Sequence, residues 1–159
     1  MEFLQHNLLT LLIFLPTVGA IVALFATGRS AARLTALAFT LLTFVLSLGI
    51  LLTFKWKPDA GATAVYGYNN GNATIFGVVQ MVQEGDWIPA FNIKYRVGID
   101  GLSFPLVILS TFIFVLAAIA SWNVEKMSRG YFALFLFLET GILGTFLSLD
   151  FFLFYVFFE

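Results

Sequence analysis

Two glutamates carry the chemistry this sequence offers. Glu139 lies in ALFLFLETGILGTFL and Glu159 closes SLDFFLFYVFFE, so each carboxyl is set in a run of residues suited to hydrocarbon. Holding a carboxylate ionised at mid-membrane costs about 3 kcal/mol on insertion scales. Protonating it at pH 7, from an ordinary glutamate value of about 4.3, costs about 3.7 kcal/mol. The costs are close, so a nearby lysine or a short water chain tips the balance either way, which suits a group that takes up and releases protons. Glu159 has Tyr155 one turn earlier and otherwise Phe or Val around it, so proton transfer is its expected role. For Glu139 two readings stay open: a proton relay, or a neutral group hydrogen-bonded across helices beside the small-residue ridge of Thr140, Gly144 and Ser148.

The surrounding residues assign the class. The chain is 60% hydrophobic and 11% charged, against about 45–50% and about 25% in a soluble domain. A formal charge of −1, with Lys and Arg thinly spread, leaves no footprint for nucleic acid and no polybasic lipid-binding run. Without cysteine and with one histidine, His6, the chain cannot by itself build an iron-sulfur cluster, a bis-histidine haem site or a structural zinc site. No cofactor is expected in it, and any redox centre belongs elsewhere. The pattern VGA at Val18 to Ala20 looks like a signal-peptide cleavage site, but MEFLQHN has no Lys or Arg and the apolar run continues to Ala26, so a retained helix is expected.

A span needs about 20 mostly apolar residues. Four stretches qualify: about Leu8 to Ala26, kinked at Pro16; Leu34 to Phe54; Leu102 to Trp122; and Tyr131 to Leu149. A fifth begins near Asp150, which is expected to cap it. Glu159 is then nine residues along, about 13.5 Å and close to the bilayer midplane. Glu139 is equally deep, nine residues past Gly130, on the preceding antiparallel helix. The fold class is therefore all-α transmembrane, with residues 1–54 forming two spans, 55–100 an extracytoplasmic loop, and 101–159 spans three and four and the start of five.

Arg29 and Arg33 join the first two spans, and Lys126 and Arg129, with Glu125, join the next two; both connections are expected in the cytoplasm, which puts the N-terminus outside. In the outer stretch, Val65 to Asn72 reads as a mobile turn-rich segment, Ile75 to Gln83 as a short interfacial helix, and Phe91 to Val97 as a strand, from its period-two alternation. Asp100 is placed to cap the third span. Trp122 and Tyr131 read as interfacial anchors. Asn72-Ala-Thr74 matches a glycosylation acceptor and is given no role.

A helix ending at Glu159 leaves its last carbonyls and two carboxylates in hydrocarbon, at several kcal/mol for each unsatisfied group. The sequence is thus expected to be the N-terminal part of a longer chain that supplies the partner of Glu159.

The pieces WIP (Trp87 to Pro89), YRVGIDGLSFPL (Tyr95 to Leu106), SW (Ser121 and Trp122) and SLDFFLFYVFFE resemble chain M of proton-pumping NADH:quinone oxidoreductase, respiratory complex I, the mitochondrial subunit 4 family. That family often has Trp-Glu where Phe158-Glu159 stands here, and residues 66–72 look like a loop variation. The resemblance implies an antiporter-like helical bundle of 14 helices built on two inverted five-helix repeats, of which this segment holds the first four helices and part of the next. It implies that Glu159 is the family's essential intramembrane glutamate, paired with a lysine on a later helix. It implies other membrane subunits of complex I, the neighbouring antiporter-like ones, as partners beside the lipid bilayer, with no flavin, iron-sulfur or quinone chemistry here. The expected function is proton translocation, coupled to NADH oxidation and quinone reduction carried out elsewhere. A subunit of a multisubunit sodium/proton antiporter shares the helix plan and the buried glutamate, and WIP and GIDGLS favour complex I over it. A purely structural membrane subunit is the alternative of another class. A quinone-binding subunit lacks a clear pair of head-group ligands. The extended outer loop points to a bacterial plasma membrane.

Overall fold

The computed structural model describes residues 2–54, 63–69, 72–91, 93–124 and 127–159, without the side chains of 2–6, 29, 53, 63–69 and 72–78. Lys126 and Glu125, and the side chains of His6, Arg29, Asn72 and Thr74, therefore lie outside the described residues.

Helices α1 (Glu2–Phe25), α2 (Arg29–Thr53), α3 (Ser103–Ala120) and α4 (Ser128–Leu147) contain stretches long and apolar enough to cross a membrane: Asn7–Phe25, Ser30–Leu52, Ser103–Asn123 and Ser128–Leu147. They match the four expected spans to within a few residues, and the chain is a multi-pass membrane protein. Pro16 is buried inside α1 and the helix runs through it. Proline has no N–H to return to the Leu12 carbonyl four residues back. A short helix α5 (Phe151–Phe158) follows, with the Asp150 carboxylate Oδ1 accepting from the Phe152 and Leu153 N–H groups at 2.9 and 3.1 Å, the cap expected from its type and position.

Helix α4 is the centre of the bundle. It packs on α1, α2, α3 and α5, and its fully buried stripe is Phe132, Leu136, Glu139, Leu143 and Leu147. Close approach depends on small residues. A Cβ on Gly144 would run into the Phe157 ring of α5, and one on Gly19 would lie 2.5 Å from the Phe39 ring of α2. Residues on the outer faces, such as Leu24, Leu52, Leu109 and Leu134, are exposed apolar surface, as hydrocarbon contact requires.

The segment between α2 and α3 is a three-stranded antiparallel sheet of order β1-β2-β3: β1 (Thr63–Asn69), β2 (Asn72–Ile88) and β3 (Ile93–Ile99). Two expectations are corrected here. Ile75 to Gln83 is strand, not helix: its β-branched Ile75, Val78, Val79 and Val82 favour extended backbone, and β2 pairs with both neighbours, which satisfies its peptide groups. Of the stretch expected to form a mobile turn-rich segment, Val65 to Asn69 and Asn72 are strand, with Asn69 paired to Asn72, while positions 70 and 71 lie outside the described residues. Met81, at φ 55°, sits where the β2 register shifts between Gln80 and Gln83.

The third strand forms as expected, from Ile93, while Phe91 falls in a 3-10 turn at Pro89–Phe91. Its burial is graded and not alternating: Val97, Gly98 and Ile99 are buried because this end slides under the helices. There Val97 bridges Ser148, and the Leu149 N–H donates to the Arg96 carbonyl at 2.9 Å. Gln83 Oε1 accepts from the Thr10 N–H at 3.1 Å and bonds the Thr10 hydroxyl, which also meets the Tyr95 hydroxyl at 3.0 Å. These contacts tie the sheet to one end of the bundle. Burial raises the Tyr95 pKa against the opposing effect of the Thr10 bond, so the phenol stays protonated and keeps its hydrogen at neutral pH.

At the other end Arg33 Nη2 donates to the Val124 carbonyl at 3.1 Å, so the two basic connections share a face of the bundle. Tyr131 and Ser121 hydroxyls pair there at 2.8 Å, with Trp122 partly exposed beside them.

Candidate functional site: a polar layer inside the bundle

Two apolar clusters fill the two ends of the bundle. On the sheet side Leu9, Leu12, Ile13, Ile50, Phe54, Val97, Ile99, Phe104, Val107, Leu143, Leu147 and Leu153 pack together. At the opposite end Phe132 and Leu136 settle among Ala20, Ala23, Ala32, Ala36 and Ala133. Several of the residues between the clusters are polar. On α1 this is Thr17; on α2, Thr40, Thr43 and Ser47; on α3, Thr111; on α4, Glu139 and Thr140.

Hydroxyls in this layer bond in pairs across helices. Thr17 and Thr140 join α1 to α4 at 2.8 Å, and Ser47 and Thr111 join α2 to α3 at 2.9 Å. Each also has a bond to its own helix in at least one member: Thr140 donates to Leu136 O, Thr111 to Val107 O, and Ser47 to Phe44 O. Thr43 and Thr40 donate to the carbonyls of Phe39 and Leu37. A hydroxyl has one hydrogen and two lone pairs, so the layer is richer in acceptors than in hydrogens.

Glu139 stands out in it. Its side chain is 0% exposed, and neither carboxylate oxygen has a hydrogen-bond partner among the described residues. The small-residue ridge beside it does pack as expected, with Thr140 on α1 and Gly144 under Phe157 of α5. The interhelical hydrogen bond that was the alternative role for Glu139 is absent among those residues. Glu159, directly after α5, is exposed and lines a groove of about 500 Å³ between α1, α4 and α5, shared with Thr17 and Thr140. The two carboxyls are not hydrogen-bonded to each other. They lie on either side of Thr140: Glu139 turned into the bundle, Glu159 on the groove.

Sequence reading passed over the hydroxyls. The signal was present in α2, where Thr40, Thr43 and Ser47 recur at helical spacing on one face. For Thr17 and Thr111 no local pattern exists. Asp100 behaves as expected, with Oδ1 accepting from Leu102 and Ser103 N–H at 3.1 and 2.6 Å, and its own N–H meeting Ser103 Oγ at 2.9 Å. Burial pushes the Asp100 carboxyl up, but the bonds from Ser103 and Leu102 together outweigh it and hold the pKa below the usual value. Among the described residues no group of three or more His, Cys, Asp or Glu side chains is placed to hold a metal ion.

Comparison with known proteins places the chain in a family. Residues 68–150, slightly more than half of the chain, match the family model described as NADH-ubiquinone oxidoreductase chain 4, amino terminus. NADH-quinone oxidoreductase subunit M of Rhodobacter capsulatus is 33% identical over 98% of this chain and 28% of its own length. The chloroplastic NAD(P)H-quinone oxidoreductase chain 4 of Mesostigma viride is 36% identical over 59% of the chain and 18% of its own length. F(420)H(2) dehydrogenase subunit M of Methanosarcina mazei is 29% identical over 94% and 27%. The chain spans less than a third of the length of these curated relatives. On the family match and the near-complete alignment with the bacterial subunit, this chain belongs to the NADH-ubiquinone oxidoreductase chain 4 family.

Proposed function

We propose that this chain forms part of a proton-translocating membrane subunit of an NADH:quinone oxidoreductase, with Glu159 and Glu139 as its proton-exchanging groups. The observation that carries the reading is Glu139, a fully buried carboxyl with neither oxygen hydrogen-bonded among the described residues. An ionisable group kept at that depth is costly, and such groups mark proton or ion pathways. Electron transfer takes place in other subunits, and no cofactor binds to this chain. The relatives are named for different electron donors, NADH, NAD(P)H and F(420)H(2). A shared membrane segment fits a role in transport and not in donor recognition.

The partners are the neighbouring antiporter-like subunits of the complex and the bilayer. The membrane is the bacterial plasma membrane, the basic connections at Arg33 and Arg129 face the cytoplasm, and the sheet and N-terminus lie outside.

Glu159→Gln in the complete complex tests the reading. The amide keeps the volume and cannot exchange a proton. The variant is expected to assemble at the wild-type level and to lose most proton translocation, measured by dye quenching in sealed vesicles during NADH oxidation. Pumping near the wild-type rate would leave a structural subunit as the better description.

A further inference from the structure

Strand β3 has partners on both edges. One edge pairs with β2, and the other meets the connection between α4 and α5, where Val97 bridges Ser148 and the Arg96 carbonyl accepts from the Leu149 N–H at 2.9 Å. The first turn of α5 is held from the same side. Leu153 is 2% exposed in the cluster that contains Val97 and Ile99, and the Trp87 ring of β2 meets the Phe152 ring edge-on with centroids 5.9 Å apart. Apart from β3, the element α5 chiefly packs on is α4.

Gly98 lies buried within this contact. A Cβ there would stand 2.5 Å from Val79 Cγ1 of β2 and 2.7 Å from Leu149 Cδ1 of the connection. Val79 cannot easily give way, since it is 4% exposed and its β-branched side chain is stiff. Leu149 is only half-buried and is the freer of the two. Carbon atoms in ordinary contact lie about 3.5–4.0 Å apart, so a Cβ at position 98 would push Leu149 away by about 1 Å. Glu159 would move with it, because α5 is one unbroken helix from Phe151 to Phe158 and the Glu159 N–H still donates to the Tyr155 carbonyl at 3.1 Å. The Glu159 carboxyl shares its groove with Thr17 and Thr140 and with no other charged residue among those described, so its surroundings depend on where the helix is set.

We propose that Gly98 is a positioning residue for Glu159: its missing side chain lets β3 close on Leu149, and the closed strand sets the placement of α5 and of the carboxyl at its end. Trp87 acts in the same way through Phe152. The effect on pumping rests on Glu159 exchanging protons, and the effect on placement does not. Both residues lie in stretches, WIP and GIDGLS, that take no direct part in proton exchange.

In the complete complex in sealed vesicles, Gly98→Ala is compared with Gly85→Ala, which lies on the same sheet with nothing within 4 Å of the new Cβ. Dicyclohexylcarbodiimide, a lipid-soluble reagent, modifies protonated carboxyls inside membranes, and mass spectrometry of the Glu159 peptide gives the rate. Gly98→Ala is expected to change that rate at least about threefold and to slow pumping about tenfold or more, since a misplacement of about 1 Å can cost about a hundredfold. Gly85→Ala is expected to match wild type in both. Leu149→Ala makes room for the new Cβ, so Gly98→Ala combined with Leu149→Ala is expected to bring both readouts back to within about twofold of wild type. Where Gly98→Ala does not assemble, Trp87→Leu removes the ring that meets Phe152 without adding bulk and is expected to change the labelling rate by the same factor. Wild-type labelling and pumping in assembled Gly98→Ala, or in Trp87→Leu where that variant stands in for it, means that the contact only packs and overturns the proposal. Failure of Leu149→Ala to restore the readouts overturns it too. If Glu159→Gln pumps normally while Gly98→Ala changes the labelling of Glu159, the proton role given to Glu159 has failed and the positioning has not.

Discussion

Replacing Glu139 by leucine should make the protein more stable and less able to pump. The carboxyl is completely enclosed and has no hydrogen-bond partner among the described residues. Leaving a neutral polar group unpaired in an apolar interior costs about 1–3 kcal/mol, and leaving it ionised about 3 kcal/mol on insertion scales. Leucine has a similar reach and no polar atom, and its flanking stripe partners are Leu136 and Leu143, already buried in the two apolar clusters. Glu139→Leu should therefore gain about 1–3 kcal/mol, seen as a higher unfolding temperature of this subunit within the purified complex. Glu139→Gln keeps the volume and the polarity, so its stability should stay within about 1 kcal/mol of wild type. Both substitutions remove the exchangeable proton and should slow translocation with assembly intact. The reasoning is refuted if Glu139→Leu loses stability by the amount it was expected to gain, since that means the intact subunit supplies a partner. Normal pumping by Glu139→Gln would refute the functional half alone.

Two further outcomes follow from the packing and the caps. Gly144→Val places a branched side chain against the Phe157 ring, and should cost about 1–3 kcal/mol as overpacking; Gly49→Ala, with nothing within 4 Å of the new Cβ, should be neutral or stabilising by about 0.5–1 kcal/mol. The yield of assembled complex distinguishes the pair. Asp100→Ala removes the acceptor for the Leu102 and Ser103 N–H groups, at about 1 kcal/mol, which is about fivefold faster hydrogen exchange in the first turn of α3 at neutral pH. Because the folded Asp100 pKa is lowered, the wild-type carboxylate stabilises above its unfolded value of about 3.9 and loses that effect as pH falls through the folded value. The gap between wild type and variant should close below about pH 4.

The class, the four spans and the caps at Asp100 and Asp150 were legible because each depends on a local rule: the length of an apolar run, or a short acceptor beside free N–H groups. The position of Glu139 near the middle of its helix was legible from the same counting. Ile75 to Gln83 was misread because a short apolar run does not declare its period, and the pairing of β2 with strands on both sides decided it.

What the amino-acid order determined by itself is that two carboxyls lie in apolar runs of a membrane chain, on consecutive helices, since hydropathy and run length fix the helices without a partner. Only the tertiary structure decided which way each faces. Packing of α1, α2 and α3 around α4 sealed Glu139 inside the bundle and left Glu159 on the groove. The physical reason is that burial and hydrogen bonding are properties of neighbours, and Thr17, Thr140, Ser47 and Thr111 become neighbours across 64 to 123 residues only when the helices meet.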